Sequence, residues 1–189
     1  INQGLKKYGG DLAIGAFGIV NRLVFIVVMI VMGLNQGMQP IAGYNFGAKL
    51  YGRVNKVLRL TIIYATAVTT FGFLVGMLVP DLVVGIFTSD AELTELSVTG
   101  LRITVMFFPI IGFQMVTSNF FQSIGMAGKA IFLSLTRQML ILLPCLLVLP
   151  QFFGVAGVWY SMPVSDLLAS LIALVMLVCQ FRKFRTSPL

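Results

Sequence analysis

LAIGAFGIVNRLVFIVVMIVMGL, residues 12–34, decides how the rest of the chain must be read. It carries one charge, Arg22. It is also long enough to cross a hydrocarbon layer about 30 Å thick, which takes roughly 20 apolar residues in a helix. The composition rules out burying such a run inside a soluble domain. Of 189 residues, 58% are hydrophobic and 10% charged, whereas an ordinary soluble domain has about 25% charged residues. A soluble domain of this size leaves roughly a third of its unfolded surface exposed after folding, and so few charges cannot clothe it. Lipid supplies the missing solvent.

Four runs downstream have the same character, at residues 57–79, 101–121, 130–150 and 158–181. The connections, 47–52, 80–100, 125–129 and 151–157, hold the Gly, Pro and charged residues of turns. The expected fold class is an all-α polytopic membrane bundle of five transmembrane helices, with no internal repeat among them. Pro109, Pro144 and Pro163 fall within spans, where each removes a backbone hydrogen bond and bends its helix unless neighbours compensate. The pairs Gly33/Gly37, Gly43/Gly47 and Gly72/Gly76 have the four-residue spacing that lets membrane helices approach closely.

The net charge of +7 is spread over the ends of apolar runs, not gathered into a patch with interleaved aromatics, so no nucleic-acid partner is expected. Lys49, Arg53, Lys56, Arg59, Lys129, Arg182, Lys183 and Arg185 fall on one face, Lys6 and Lys7 on the other. Cytoplasmic loops hold the excess of Lys and Arg. That rule predicts a multi-pass protein of the plasma (inner) membrane with a cytoplasmic C-terminus and Thr88, Ser89, Asp90, Glu92 and Glu95 outside. Residue 1 is then outside as well, although the chain opens on Ile and shows no signal sequence. The expectation is that at least one helix precedes it in a longer protein.

Catalysis has few supports. Histidine is absent, and the two cysteines, Cys145 and Cys179, lie in apolar runs without metal-type spacing. Neither metal, cofactor nor enzyme activity is expected. The informative groups are polar residues inside the membrane, where a charge costs about 2.5–3.5 kcal/mol on insertion scales. Arg22 lies about 15 Å down the first span at 1.5 Å per residue. Arg102 and Arg137 lie close enough to span ends to snorkel. Asp166 is the one acid inside a span. It can carry a proton or bind Na⁺, or it can form a structural pair with Arg22 or Arg102. Gln114, Ser118 and Gln122 share one helical face, with Asn119 beside them, and Asn21, Gln36 and Gln39 give the first span a polar surface. Such donors among Phe and Met side chains suit cationic amphipathic small molecules; they serve equally as helix-to-helix hydrogen bonds.

GLNQGMQPIAGYNFGA, residues 33–48, resembles the multidrug and toxic compound extrusion (MATE) family, at the element ending the eighth helix and entering a cytoplasmic loop. AIGAFGI (13–19), FFQSIG (120–125), Arg137-Gln138 followed by Pro144, and GVAGVW (154–159) are also similar to it, in order and over nearly the whole chain. The resemblance implies helices 8 to 12 of a twelve-helix transporter, in which two six-helix lobes are related by a pseudo-twofold axis along the membrane normal. It implies export of cationic drugs by H⁺ or Na⁺ antiport with alternating access, with an N-terminal lobe as partner. Some members carry a cation-site acid on helix 10. Here that helix has Gln114, Ser118, Asn119 and Gln122, which leaves coupling to the other lobe or to Asp166. A lipid-linked saccharide flippase of the same superfamily and a structural membrane module are the alternatives. The flippase would favour several cavity cations, and only Arg22 is placed for that.

Overall fold

The computed structural model describes the backbone of residues 2–186 and the side chains of residues 10–182. Lys6, Lys7, Lys183 and Arg185, used above for orientation, lie outside the described side chains. No strand occurs among the described residues. The helices are α1 (Asn2–Gly47), α2 (Tyr51–Leu78), α3 (Pro80–Gly85), α4 (Ala91–Val105), α5 (Phe108–Ser123), α6 (Ala127–Leu135) and α7 (Leu143–Thr186), with a π-helical segment, Thr136–Leu142, joining α6 to α7.

Three stretches are long and apolar enough to cross a bilayer: Gly10–Gly47, Tyr51–Leu78 and Ala127–Arg182. The pair α4 and α5, with a bend of 54° between them, is together also long and apolar enough to cross. The 56-residue stretch Ala127–Arg182 would run about 84 Å if straight, far beyond one bilayer. It folds back instead at Gly154, whose φ of 57° and ψ of −132° break the helix. Arg137 and Asp166, 29 residues apart, would stand about 44 Å apart on a straight helix; their side chains meet at 2.7 Å. The reversal is tight, since a Cβ on Gly157 would lie 2.4 Å from the Leu149 carbonyl oxygen.

Turn chemistry explains two other reversals. After α1, the Leu50 N–H donates to the Asn45 carbonyl (2.9 Å) and the Lys49 N–H to that of Phe46 (3.0 Å), a Schellman cap. Lys49 takes the left-handed conformation there, with φ 59°. After α5 the same cap recurs with Gly125 at φ 77°. Asp90 caps α4 by accepting from the Leu93 N–H at 2.9 Å.

Three expectations change. The third span is not one helix from 101 to 121, and the expected connection 80–100 contains α3 and the start of α4. The break at Met106 and Phe107 has a cause in Pro109, which has no N–H to give the Val105 carbonyl and whose ring would crowd it. Gly33 and Gly37 do not mediate close packing, since nothing stands within 4 Å of where a Cβ would be. Gly72 and Gly76 do, against Val27 and Val105, and Gly43 does against the Ser123 carbonyl, while its expected companion Gly47 has nothing within 4 Å.

Two apolar cores stack along the bundle. One gathers Met38, Leu58, Phe120, Phe121 and Leu177. The other gathers Val20, Leu101, Phe108 and Trp159. Met115 packs against both. Outside them, Phe25, Phe71, Leu140 and Phe152 are more than half exposed, as a lipid-facing surface requires.

The closest approach of α2 and α5 gives a test. A Cβ on Gly112 would lie 2.7 Å from Thr69 Oγ1 and 2.8 Å from the Ala65 carbonyl oxygen. Gly112→Ala should therefore lower stability by about 1–3 kcal/mol through overpacking, whereas Gly33→Ala should not. Thermal unfolding in detergent micelles measures both, and equal midpoints would contradict the packing.

Candidate functional site

The π-helical segment sets up the site. Pro144 cannot donate to the Leu140 carbonyl, and a straight α-helix would drive its ring against that group. The chain widens just before it, over Thr136–Leu142. Such widened turns occur often at functional positions. Here the segment carries Arg137 inward, so that Arg137 Nε donates to Asp166 Oδ1 at 2.7 Å. The Asp166 side chain is 5% exposed and that of Arg137 is 36% exposed. Among the described residues this is an ion pair within the membrane-spanning part, and it corrects two expectations. Asp166 pairs with neither Arg22 nor Arg102, both of which are exposed elsewhere. Arg137 does not snorkel to the membrane surface; it turns into the bundle.

Two clefts meet at Arg137. One, of about 200 Å³, is lined by Asn21, Thr104, Met162, Ser165, Arg137 and Asp166, with Val24, Phe108 and Ile111 as apolar wall. The other, of about 130 Å³, is lined by Gln114, Ser118, Asn119, Ser134, Arg137 and Gln138. Arg137 and Met115 line both. The polar stripe of α5 thus faces the arginine of the ion pair. Gln114 is buried, and its Oε1 has no hydrogen-bond partner. Asn119 Nδ2 donates to the Met115 carbonyl at 3.0 Å, and Gln39 Nε2 reaches Asn119 Oδ1 at 3.4 Å, joining α1 to α5.

The remaining expected residues lie apart. Gln36 and Gln122 are exposed and line neither cleft, and Arg22 lies beside Asn21 without lining them. Reading the sequence alone missed the role of Arg137, along with Thr104, Ser134, Gln138, Met162 and Ser165. A signal for Arg137 was present: it is the one charge in residues 130–150, as Asp166 is in 158–181. Opposite charges on two consecutive antiparallel spans are a pairing cue. Among the described residues no three His, Cys, Asp or Glu side chains converge as metal ligands do.

The pair's asymmetric exposure orders its mutants. Arg137→Leu strands a carboxylate that is almost fully buried, at a cost of about 3–5 kcal/mol. Asp166→Asn strands an arginine that is a third exposed and can turn toward the cleft, so it should cost less. Arg137→Leu with Asp166→Leu should recover most of the loss. Thermal unfolding of the four proteins in micelles reads the order, and a reversed order would contradict this geometry.

A family model described as MatE matches residues 5–147. The multidrug export protein MepA of Staphylococcus aureus (strain MSSA476) is 28% identical over 174 residues, covering 92% of this chain and 38% of that protein. Among solved structures, the MATE multidrug transporter DinF-BH, solved with a bound compound, aligns with a TM-score of 0.84 at 37% identity, over 97% of this chain and 41% of that one. An outward-facing multidrug resistance MATE family transporter of the MOP superfamily aligns with a TM-score of 0.90 at 18% identity, over 98% and 42%, a likeness of fold alone. The chain therefore spans about two-fifths of the length of the proteins it matches.

Proposed function

This chain belongs to the MatE family, and on that premise we propose that it forms the C-terminal lobe of a multidrug exporter driven by H⁺ or Na⁺ antiport. In this reading its cargo is cationic amphipathic small molecules, its partner an N-terminal lobe, and its mode alternating access. The basic helix ends and the C-terminus face the cytoplasm, and the membrane is the plasma membrane. The efflux role draws support from the relatives, which are multidrug transporters.

One observation carries the coupling role proposed for Asp166: its carboxylate is held by Arg137, which lines two clefts that both carry polar side chains. A proton or Na⁺ bound at Asp166 removes the attraction for the guanidinium. Arg137 then turns its donors toward Gln114 Oε1, Ser118 and Asn119 in the second cleft. That change of partner is local and two-sided, as a bistable element must be if two sites are to be coupled. Asn21, on the wall of the cleft that Asp166 also lines, places α1 in reach of the change. The apolar walls offered by Phe108, Met115 and Met162 suit ring systems of varied shape.

Transport by the full-length protein in proteoliposomes tests this reading, with the cationic dye ethidium as probe. Asp166→Asn should reduce ion-driven efflux by at least about tenfold, within the range usual for coupled sites. Binding of ethidium without an ion gradient should persist. Unchanged ion-driven efflux would reject the coupling role, and loss of ethidium binding along with efflux would make the pair merely architectural.

A further inference from the structure

At the basic end of the bundle the first turns of α2 and the last turns of α7 splay apart around a groove of about 660 Å³. Its walls are Tyr51, Asn55, Leu58, Arg59, Ile62 and Ile63 on one side and Val178, Phe181 and Arg182 on the other. That volume lies within the range of sites for small molecules. Its polarity is layered. Arg59 and Arg182 are exposed at the rim. Ile62 and Ile63 follow Arg59 by one helical turn, about 5 Å deeper, and Val178 precedes Arg182 by one turn. Leu58, buried in the core, forms the floor.

The charge around the groove has one sign. Lys49, Arg53, Lys56, Arg59, Lys129 and Arg182 stand at this end of the helices. The acids Asp11, Asp81, Asp90, Glu92 and Glu95 belong to the opposite end, and Asp166 is held within the bundle by Arg137. Lys129 is already engaged, with Gln180 Oε1 and over the Phe121 ring at 5.2 Å, which ties α6 to the end of α7 and leaves the groove open toward α2. Among the described residues no Asp or Glu stands at this end of the bundle.

We propose that this groove binds an anionic phospholipid of the adjoining leaflet, its phosphate set between Arg59 and Arg182 and an acyl chain laid along Ile62, Ile63 and Val178. A free phosphate would leave the apolar wall unused. A wholly apolar occupant would leave the exposed Arg59 guanidinium at the rim unmatched. Basic pockets between membrane helices take anionic headgroups on these grounds, and Tyr51 and Asn55 add polar contacts at headgroup level. The inference needs only that the chain lies in a bilayer, and it is independent of cargo and coupling ion.

The test is lipid retention by the full-length protein, purified from mixed micelles containing equal dioleoylphosphatidylglycerol and dioleoylphosphatidylcholine and read by native mass spectrometry. The wild type should retain phosphatidylglycerol in preference. Arg59→Gln and Arg182→Gln should each lower that retention about fivefold, the contribution of one surface cation. Lys56→Gln, which removes a charge from the same helix outside the groove, should leave it unchanged. Ile63→Trp keeps every charge and fills the apolar wall, so it should also displace the lipid, which guards against misfolding of the arginine variants. Equal retention of both lipids, an equal effect of Lys56→Gln, or no effect of Ile63→Trp would overturn the proposal. Displacement of the lipid by glycerol phosphate at the same concentration would overturn it too.

Discussion

The contact between Arg137 and Asp166 constrains more of this structure than any other. Removing two charges from water costs several kcal/mol per ion, which is offset only if each finds the other in good geometry. That requirement holds the two halves of the Ala127–Arg182 stretch side by side, so the chain must reverse at Gly154. It also requires a guanidinium to point inward from a helix interrupted by Pro144, and the widened turn over Thr136–Leu142 provides that direction. The polar clefts then follow, because Asn21, Thr104, Gln114 and Ser165 gather where the two apolar cores meet.

Much of this was legible in the sequence where a single physical rule dominated. Apolar length pointed to an all-helical membrane bundle, since the bilayer admits few alternatives to a continuous helix. Helical spacing put Gln114, Ser118 and Gln122 on one face with Asn119 beside them, and all but Gln122 line the second cleft; of the three glycine pairs, Gly72/Gly76 packs closely at both members and Gly43/Gly47 only at Gly43. The failures arise where two rules compete. Composition over residues 80–100 resembles a polar connection, yet Asp90 supplies a cap and a helix starts there. Pro109 bends its span, as a lost backbone hydrogen bond requires, but the bend of 54° also divides the span into α4 and α5. The turn after α1 was expected from glycines, while Lys49 adopts the left-handed conformation. Arg137 was assigned to the membrane surface because distance along a helix says nothing of which way a side chain points.

The two ends of the bundle and its middle have separate chemistries. The middle joins one ion pair to clefts whose walls mix polar and apolar side chains. The basic end is open, charged in one sense and bordered by apolar walls, as suits a stable contact with lipid. Neither depends on the other, so each can fail alone.

The account turns on whether Asp166 changes state with the coupling ion. Infrared difference spectra of the full-length protein in lipid, recorded with and without H⁺ or Na⁺, observe that carboxyl directly. The account predicts a carboxyl band that responds to one of the two ions, accompanied by a guanidinium shift and absent from Asp166→Asn. Identical difference spectra from the two proteins under both ions would contradict it.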